Sequence, residues 1–562
     1  MGQIVFLIGL VVGWLQPDHF PPWIAFHNEA PVFVGLTLAA ISLLLLKRAQ
    51  IQIGWGPLVL LGMAAYTFAQ LLGNETLYIG DVALAFAYLA GMALAWILGY
   101  HWQLGLEKQE PSHSGAVMGS LAWTILLTAS ISSAIAWMQW FNLEELWFPW
   151  VMAANHTPRS IGNLAQPNQL STLLLMGVIS AGILYEKKAF GGMVATLLVA
   201  LISSAVVLAQ SRTAFLVVVM LLLWVMLKRK TLSRVTWKAV LTWSVLFLLV
   251  SVTFHQSIED TLTEKSPLGS SMTEIGGRPV LWAQFWEAIK VQPWSGYGWI
   301  RTAEAQQIGA LVKPGLEQAS YTHNHVLDLV IWFGIPVIAI LMGWAAWAMW
   351  KRYQQGQEDT RVTLLLALLA PLVAHSMLEF PLAYAYFLFP AGLILGLLDA
   401  HTRSEKQRQR SAPRWLMFTG IGLYAMLVSM MGYEYIQVEE DFRVARFENR
   451  NIGMTPADYE SPRILVLTQL REVLQAMRLR AAPEMTEAEL ARLSMASKRY
   501  SWAALHFRNA LALGLNNQPK AAAEQMQIIK ALFGPEIYNE ARLDYLRLQT
   551  EKYPELARVQ LP

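Results

Sequence analysis

Thirteen apolar runs, most of them long enough to cross a bilayer, constrain this chain more than any other feature. They fall near 1–15, 31–46, 57–72, 77–99, 116–139, 169–185, 191–209, 213–227, 237–254, 325–348, 361–377, 382–398 and 415–433. A crossing helix needs roughly 20 apolar residues. The first, third and eighth runs are short, so the expected number of transmembrane helices is about 13, within 11–13. Composition agrees: 55% of the 562 residues are hydrophobic, only 14% are charged, and the mean hydropathy is +0.38. A soluble chain carries about 25% charged residues. The expected fold class is an all-α polytopic membrane protein.

Orientation follows from lysine and arginine, which collect on the cytoplasmic side. The turns holding Lys47-Arg48, Lys108, Lys187-Lys188, Lys228 to Lys238, Lys351-Arg352 with Arg361, and Arg403 to Arg414 carry 18 basic residues. The opposite turns carry seven, five of them in the long segment 254–322. The loops at 16–30, 140–168, 210–212, 254–324 and 375–381 are therefore expected outside. The start, MGQIVFLIGLVVGWLQP, lacks a basic leader and a small-residue cleavage site, and reads as a retained first span. A net charge of +3 gives no sign of a nucleic-acid partner. With no cysteine in the chain, disulfides, iron–sulfur clusters and thiol catalysis are excluded.

The character changes after Gly432, where 17 of the 42 basic residues lie. Two domains are expected: a membrane domain over 1–433, with its large outer loop at 254–324, and an outer helical domain over 434–562. In the latter, Thr486-x-x-Glu489 has the form of a capping box. A helix is expected over Trp502–Leu513, ended by Gly514, and a second from Pro519 to about Phe533, broken by Gly534-Pro535. Such paired helices suit a tetratricopeptide-like array or a small helical bundle.

Polar residues crowd the outer ends of the spans. The stretch Tyr321 to Pro336, YTHNHVLDLVIWFGIP, sets His323, Asn324 and His325 at the mouth of an apolar helix expected over Val326–Ala348. The positive end of a helix dipole favours a neutral imidazole, the form a general base needs. Interfacial capping is the plainer alternative. Arg212 sits in a four-residue break, Gln210 to Thr213, where an arginine either meets an anion or snorkels to the interface. Arg278 follows two glycines, which allow close backbone approach to a ligand. An amphipathic interfacial helix with Trp282, Phe285, Trp286 and Ile289 on one face comes next. The segment RSIGNLAQPNQ offers Arg159, Asn163, Gln166, Asn168 and Gln169, which suit sugar hydroxyls or a phosphate. His375, Glu379 and Tyr384 return to the outer face, either as polar site groups or as a span end. Asp18, His19, His27 and Glu29 form a rival cluster without a recognised metal-ligand spacing.

Taken in order, these stretches resemble the O-antigen ligase/polymerase superfamily, and within it the bacterial protein O-oligosaccharyltransferases of the pilin-glycosylation ligase type. WLQPDHFPPW…FHNE is similar to their amino-terminal signature. RSIGNLAQPNQLSTLL resembles their G-N-x-x-Q-P-N segment. Ser211-Arg212-Thr213 is similar to the S-R-[ST] of the ligase core. Arg278, with Pro293…Gly296-x-Gly298, resembles the second arginine and its P-x-x-G-x-G turn. THNHVLDLVIWFGIP resembles the histidine box and puts His323 on the family histidine. EFPLAYAYFLFP resembles the box of the protein-glycosylating branch. One departure is Val326, where the superfamily has an aromatic residue; with the extra His325 it leaves two imidazoles as candidates.

The resemblance implies transfer of a preassembled glycan from undecaprenyl pyrophosphate to a serine or threonine of an exported, pilin-like protein, at the periplasmic face of the inner membrane. It implies His323 as the base, with His325 and Glu379 behind it, and Arg212 and Arg278 as the pyrophosphate clamp. Arg159, Asn163, Gln166, Asn168, Asn324 and Tyr384 would bind substrate. Family transfer is metal-independent, so no cofactor is expected, and membrane lipids are the remaining partner. The same core also suits an O-antigen ligase or polymerase. A transporter or flippase of polyprenyl-linked sugars is the alternative from another class, although the ionisable groups crowd at span ends and not at mid-membrane.

Overall fold

The computed structural model describes every residue except 45–49, 75–76, 110–114, 155–158, 262–276, 316, 403–409, 451, 454 and 457. The first part of the long loop, and the basic turns at 47–48 and 403–409, thus lie outside the described residues. Helices dominate. The first part of the chain forms α1 (Gly2–Leu15), α2 (Phe26–Leu44), α3 (Trp55–Gly73), α4 (Ile79–Gln109) and α5 (Ala116–Trp140). Then come α6 (Pro167–Glu186), α7 (Gly192–Ala209), α8 (Arg212–Leu227) and α9 (Trp237–Thr261). The long loop folds into α10 (Arg278–Val291) and α11 (Thr302–Ala310), and is followed by α12 (His325–Phe333), α13 (Ile335–Gln355), α14 (Thr360–Ser376) and α15 (Ala385–His401). The last part comprises α16 (Arg414–Asn449), α17 (Thr468–Arg478), α18 (Glu487–Arg499), α19 (Ala503–Leu515) and α20 (Pro519–Glu551).

Among the described residues, eight helices are long and apolar enough to cross a membrane: α2 to α7, α9 and α16. Four shorter apolar helices, α1, α8, α14 and α15, coincide with further apolar runs. The remaining run, 325–348, does not form one helix. It breaks at Gly334, whose φ of +83° only glycine adopts freely, and whose Cβ would fall 2.2 Å from the Trp294 carbonyl oxygen. The nine-residue α12 is about 14 Å long, too short to span. A small antiparallel ribbon, unforeseen in an all-α reading, pairs β1 (Gln50–Ile53) with β2 (Arg410–Pro413), Ile51 opposite Ala412.

The chain gathers into two compact units. One comprises Met1–Met63, Phe86–Thr273 and Trp344–Val428; the other comprises Ala64–Ala85, Glu274–Gly343 and Ser429–Pro562. In the first, α6 is buried along most of its length and packs against α5, α7 and α14. In the second, the residues after α16 pack as successive helices around Ala510, Met526, Ile529, Tyr538 and Tyr545. The Glu434 carboxylate accepts the amides of Leu465, Val466 and Leu467 and so orders the approach to α17. Thr486 and Glu489 form the expected capping box. Helix α20 begins at Pro519 and kinks at Gly534, as expected. Gly514 does not end α19, which runs on to Leu515; a Cβ there would press on the Tyr545 hydroxyl at 2.8 Å. Close packing, not chain reversal, explains that glycine.

Candidate active site

In the first unit, the polar residues of three span ends meet. Helix α7 ends on Gln210 in the left-handed region (φ +48°), and Arg212 opens α8 directly after Ser211. The segment before α6 is tied to this break: Ser160 N–H donates to Leu208 C=O at 3.1 Å, and Arg159 Nε to Ala209 C=O at 3.1 Å. Asn168 joins the pieces. Its Oδ1 accepts from Ser211 Oγ at 2.8 Å and from Arg159 Nη2 at 3.4 Å, and its Nδ2 donates to Glu379 Oε1 at 3.2 Å. Burial and the Arg212 charge lower the pKa of Arg159, and Glu379 opposes them. Two guanidinium groups therefore act on each other here beside one buried carboxylate, at the positive end of α8. Such a surplus of positive charge suits an anion.

The other groups expected nearby are placed differently. Asn163 is 2% exposed and clasps the loop: it donates to the carbonyls of Leu15 and Trp150 and accepts from the Met152 amide. Gln166 caps α6, accepting the Gln169 amide at 2.7 Å. Gln169 in turn accepts the Tyr386 hydroxyl, against whose ring Tyr384 stacks at 5.2 Å. Of the rival cluster, Glu29 is buried and accepts from Trp23, Tyr88 and the Ala385 amide, and His19 pairs with the Asn163 carbonyl. Among the described residues no three histidines, carboxylates or cysteines gather as a metal-ligand set.

In the second unit, the histidine box is held by its neighbours. Thr322 is fully buried and uses every polar group it has. Its amide donates to Asp328 Oδ1 at 2.8 Å, its hydroxyl to the Asn324 carbonyl at 2.7 Å, and its carbonyl accepts the Trp282 ring N–H at 2.9 Å. Asn324 caps α12 by accepting the Leu327 amide at 3.1 Å. Between these two anchors His323 adopts the left-handed conformation, φ +57°, and its side chain stays half-buried. A non-glycine residue there stores strain that the surroundings must offset. His325 packs edge-on against Trp332 at 6.4 Å, and burial pushes its pKa down to about 4.

Two further pieces position the box. Trp282 lies one helical turn after Arg278 on α10, so the bond from Trp282 to Thr322 sets the start of α10 beside the box. The P-x-x-G-x-G turn is bonded to the end of α12 through its backbone: Tyr297 N–H to Ile331 C=O at 2.7 Å, Gly298 N–H to Trp332 C=O at 3.1 Å, and Ile335 N–H to Pro293 C=O at 2.8 Å. Gly296 has φ +67°, and a Cβ there would meet the Trp332 backbone at 2.6 Å, which explains the glycine.

Asp328 escaped the sequence reading. It is fully buried, its carboxyl is pushed by burial up to about 7, and both the Thr322 hydrogen bonds and the His323 charge pull it back. A lone carboxylate inside VLDLVIWF was the signal available. Ser211, which orients Asn168, was visible only as part of the Ser-Arg-Thr break.

The helical fold and these polar span ends describe a multi-pass membrane enzyme. Residues 197–342 match the O-antigen ligase family, residues 161–185 the protein glycosylation ligase family, and residues 363–545 the C-terminal part of the virulence factor membrane-bound polymerase family. Over these segments the chain is similar to O-antigen ligases and to their protein-glycosylating relatives, and it is a glycosyltransferase. It is 28% identical over 499 residues to a general O-oligosaccharyltransferase of Acinetobacter baylyi, covering 85% of this chain and 83% of that protein. It is 29% identical over 340 residues to a ComP-specific O-oligosaccharyltransferase of the same organism, covering 59% of each.

Proposed function

We propose that this oligosaccharyltransferase moves a preassembled glycan from undecaprenyl pyrophosphate to a serine or threonine hydroxyl of a pilin-like exported protein, without a metal. His323 takes the proton from the acceptor hydroxyl as that oxygen attacks the anomeric carbon. The sugar–phosphate bond breaks, and undecaprenyl pyrophosphate leaves with the bonding electrons. Arg212 and Arg278 bind the growing charge of that leaving group, with Arg159 as a third cation. Guanidinium groups suit the role because they pair bidentately with phosphate and stay charged. Preorganised cations supply several kcal/mol to a charged transition state. Asn168, Gln166 and Tyr384 stand for glycan contacts, Asn163 and Asn324 for the frame around them, and Glu379 for the orientation of Arg159 through Asn168.

The observation that carries this reading is the strained, anchored backbone of His323 at the amino terminus of α12. It favours His323 over His325, whose ring is packed against Trp332 and whose basicity is suppressed. In this reading the enzyme lies in the inner membrane with about 13 spans; the long loop and a tetratricopeptide-like carboxy-terminal region over 434–562 face the periplasm. The matched polymerase family keeps the reading of an O-antigen ligase or polymerase in play, with a lipid or glycan acceptor.

The test is co-expression with a lipid-linked glycan and a pilin acceptor. His323→Ala is expected to lower glycosylation by about 10²- to 10⁴-fold, and His325→Ala to leave most of it. Wild-type rates in a stably expressed His323→Ala enzyme would remove the base. Collapse of the purified reaction on adding EDTA would remove the arginine clamp. Transfer to a glycan acceptor but never to pilin would favour the polymerase reading.

A further inference from the structure

The first unit contains a second concentration of cations, at the opposite end of α15 from Tyr384. Asp399 lies 14 residues beyond Ala385 on this helix, about 21 Å along its axis. It accepts the Trp96 indole N–H at 2.7 Å and forms an ion pair with Arg352 at 2.6 Å. One carboxylate and one guanidinium thus neutralise each other. Two further cations remain beside them. The Arg410 guanidinium sits 3.8 Å from the centre of the Trp55 ring, and Lys351 Nζ lies 5.2 Å from that of Trp347. Among the described residues neither forms an ion pair with a carboxylate. These side chains line a cavity of about 150 Å³, with Tyr100 and Trp344 completing its wall.

We propose that this cavity binds the phosphodiester headgroup of an anionic phospholipid. Lys351 and Arg410 would bind the phosphate oxygens, with Arg352 held behind them by Asp399. Trp55 and Trp347 are each 56% exposed, as indoles at a membrane interface are, and would lie along the glycerol and the first acyl carbons. Lys351, near the end of α13, and Arg410, at the start of β2, belong to the basic set expected on the cytoplasmic side, which puts the cavity at that leaflet. Charge complementarity selects an anionic over a zwitterionic lipid, and the indoles select a lipid over a free anion. The inference rests on the membrane-spanning reading of the chain and not on the chemistry assigned to His323.

The purified full-length chain in neutral detergent would be titrated with phosphatidylglycerol, phosphatidylcholine and inorganic phosphate, read by native mass spectrometry and thermal unfolding. Phosphatidylglycerol is expected to bind and to raise the melting temperature above the value reached with phosphatidylcholine. A Lys351→Gln/Arg410→Gln double variant is expected to bind phosphatidylglycerol about thirtyfold more weakly. Trp347→Ala, which removes no charge, is expected to weaken binding of the lipid but not of inorganic phosphate. It also keeps the question answerable should the double variant be unstable. Equal binding of the two lipids, or undiminished phosphatidylglycerol binding in both variants, would overturn the proposal. So would inorganic phosphate that reproduces the whole thermal shift, which would make the cavity a free-anion site.

Discussion

At the residue scale, the proposed catalytic base depends on a backbone angle. His323 is half-buried at φ +57°, a conformation uncommon for a residue with a side chain. Thr322 and Asn324 impose it, and Asp328 fixes Thr322 from one helical turn inside α12. In the proposed mechanism Asp328 is therefore a positioning residue. Displacing a catalytic group by about 1 Å can cost on the order of 10²-fold in rate. Asp328→Ala is expected to lower turnover by that order while leaving donor binding near wild type. Asp328→Asn, which keeps an acceptor for the Thr322 amide, should restore much of the loss. Turnover at the wild-type rate in Asp328→Ala would show that the turn holds without it.

At the element scale, the helices of the second unit are joined by buried charge. Asp81, 1% exposed, pairs with Arg499 at the end of α18 at 2.9 Å. Arg301, fully buried, pairs with Glu304 on α11, and Gln307 of the same helix donates to the Ser497 and Lys498 carbonyls. Removing one partner of a buried pair typically costs about 3–5 kcal/mol, because the other charge is left without compensation. Arg499→Met is expected to destabilise the protein by that order in thermal unfolding, and Asp81→Leu added to it should recover most of the loss. A double variant as unstable as the single one would contradict this.

His506 makes the same unit sensitive to acid. It is fully buried between Ser501 and Gln525, and burial lowers its pKa from 6.5 to about 4. The unfolded chain takes up this proton first, so the stabilisation is complete above pH 6.5 and is lost as pH falls towards 4. Melting temperature should fall between pH 7 and pH 5 in the wild type, and less steeply in His506→Gln. Parallel curves would place the acid sensitivity elsewhere.

At the scale of the whole molecule, the absence of cysteine makes topology directly measurable. A single cysteine at Gln357 is expected to react with an impermeant maleimide only after the membrane is opened. One at Asn142 should react in cells whose outer membrane alone is permeable. The reverse pattern would invert the orientation and with it the placement of every outer loop. Hydropathy alone led to the membrane-spanning fold class, because residues in lipid have no water to make up for a polar choice. Twelve of the thirteen apolar runs became one helix each, and Pro519, Gly534 and the Thr486 capping box acted as their local chemistry requires. The candidate residues were legible too, as polar groups set against apolar neighbours at span ends. What escaped depended on contacts between residues far apart in the chain. Gly334 leaves its helix at a left-handed φ where the Trp294 carbonyl has no room for a Cβ, and Gly514 lies inside its helix where Tyr545 packs close. Asn168 links Ser211 to Glu379 only when three helices end together. Periodicity and charge bias are sums over neighbours in sequence, and they determined which segments are helices and which ends are polar. Backbone strain at His323 and the pairing of buried charges arise from close packing between elements, and only the tertiary structure decided them.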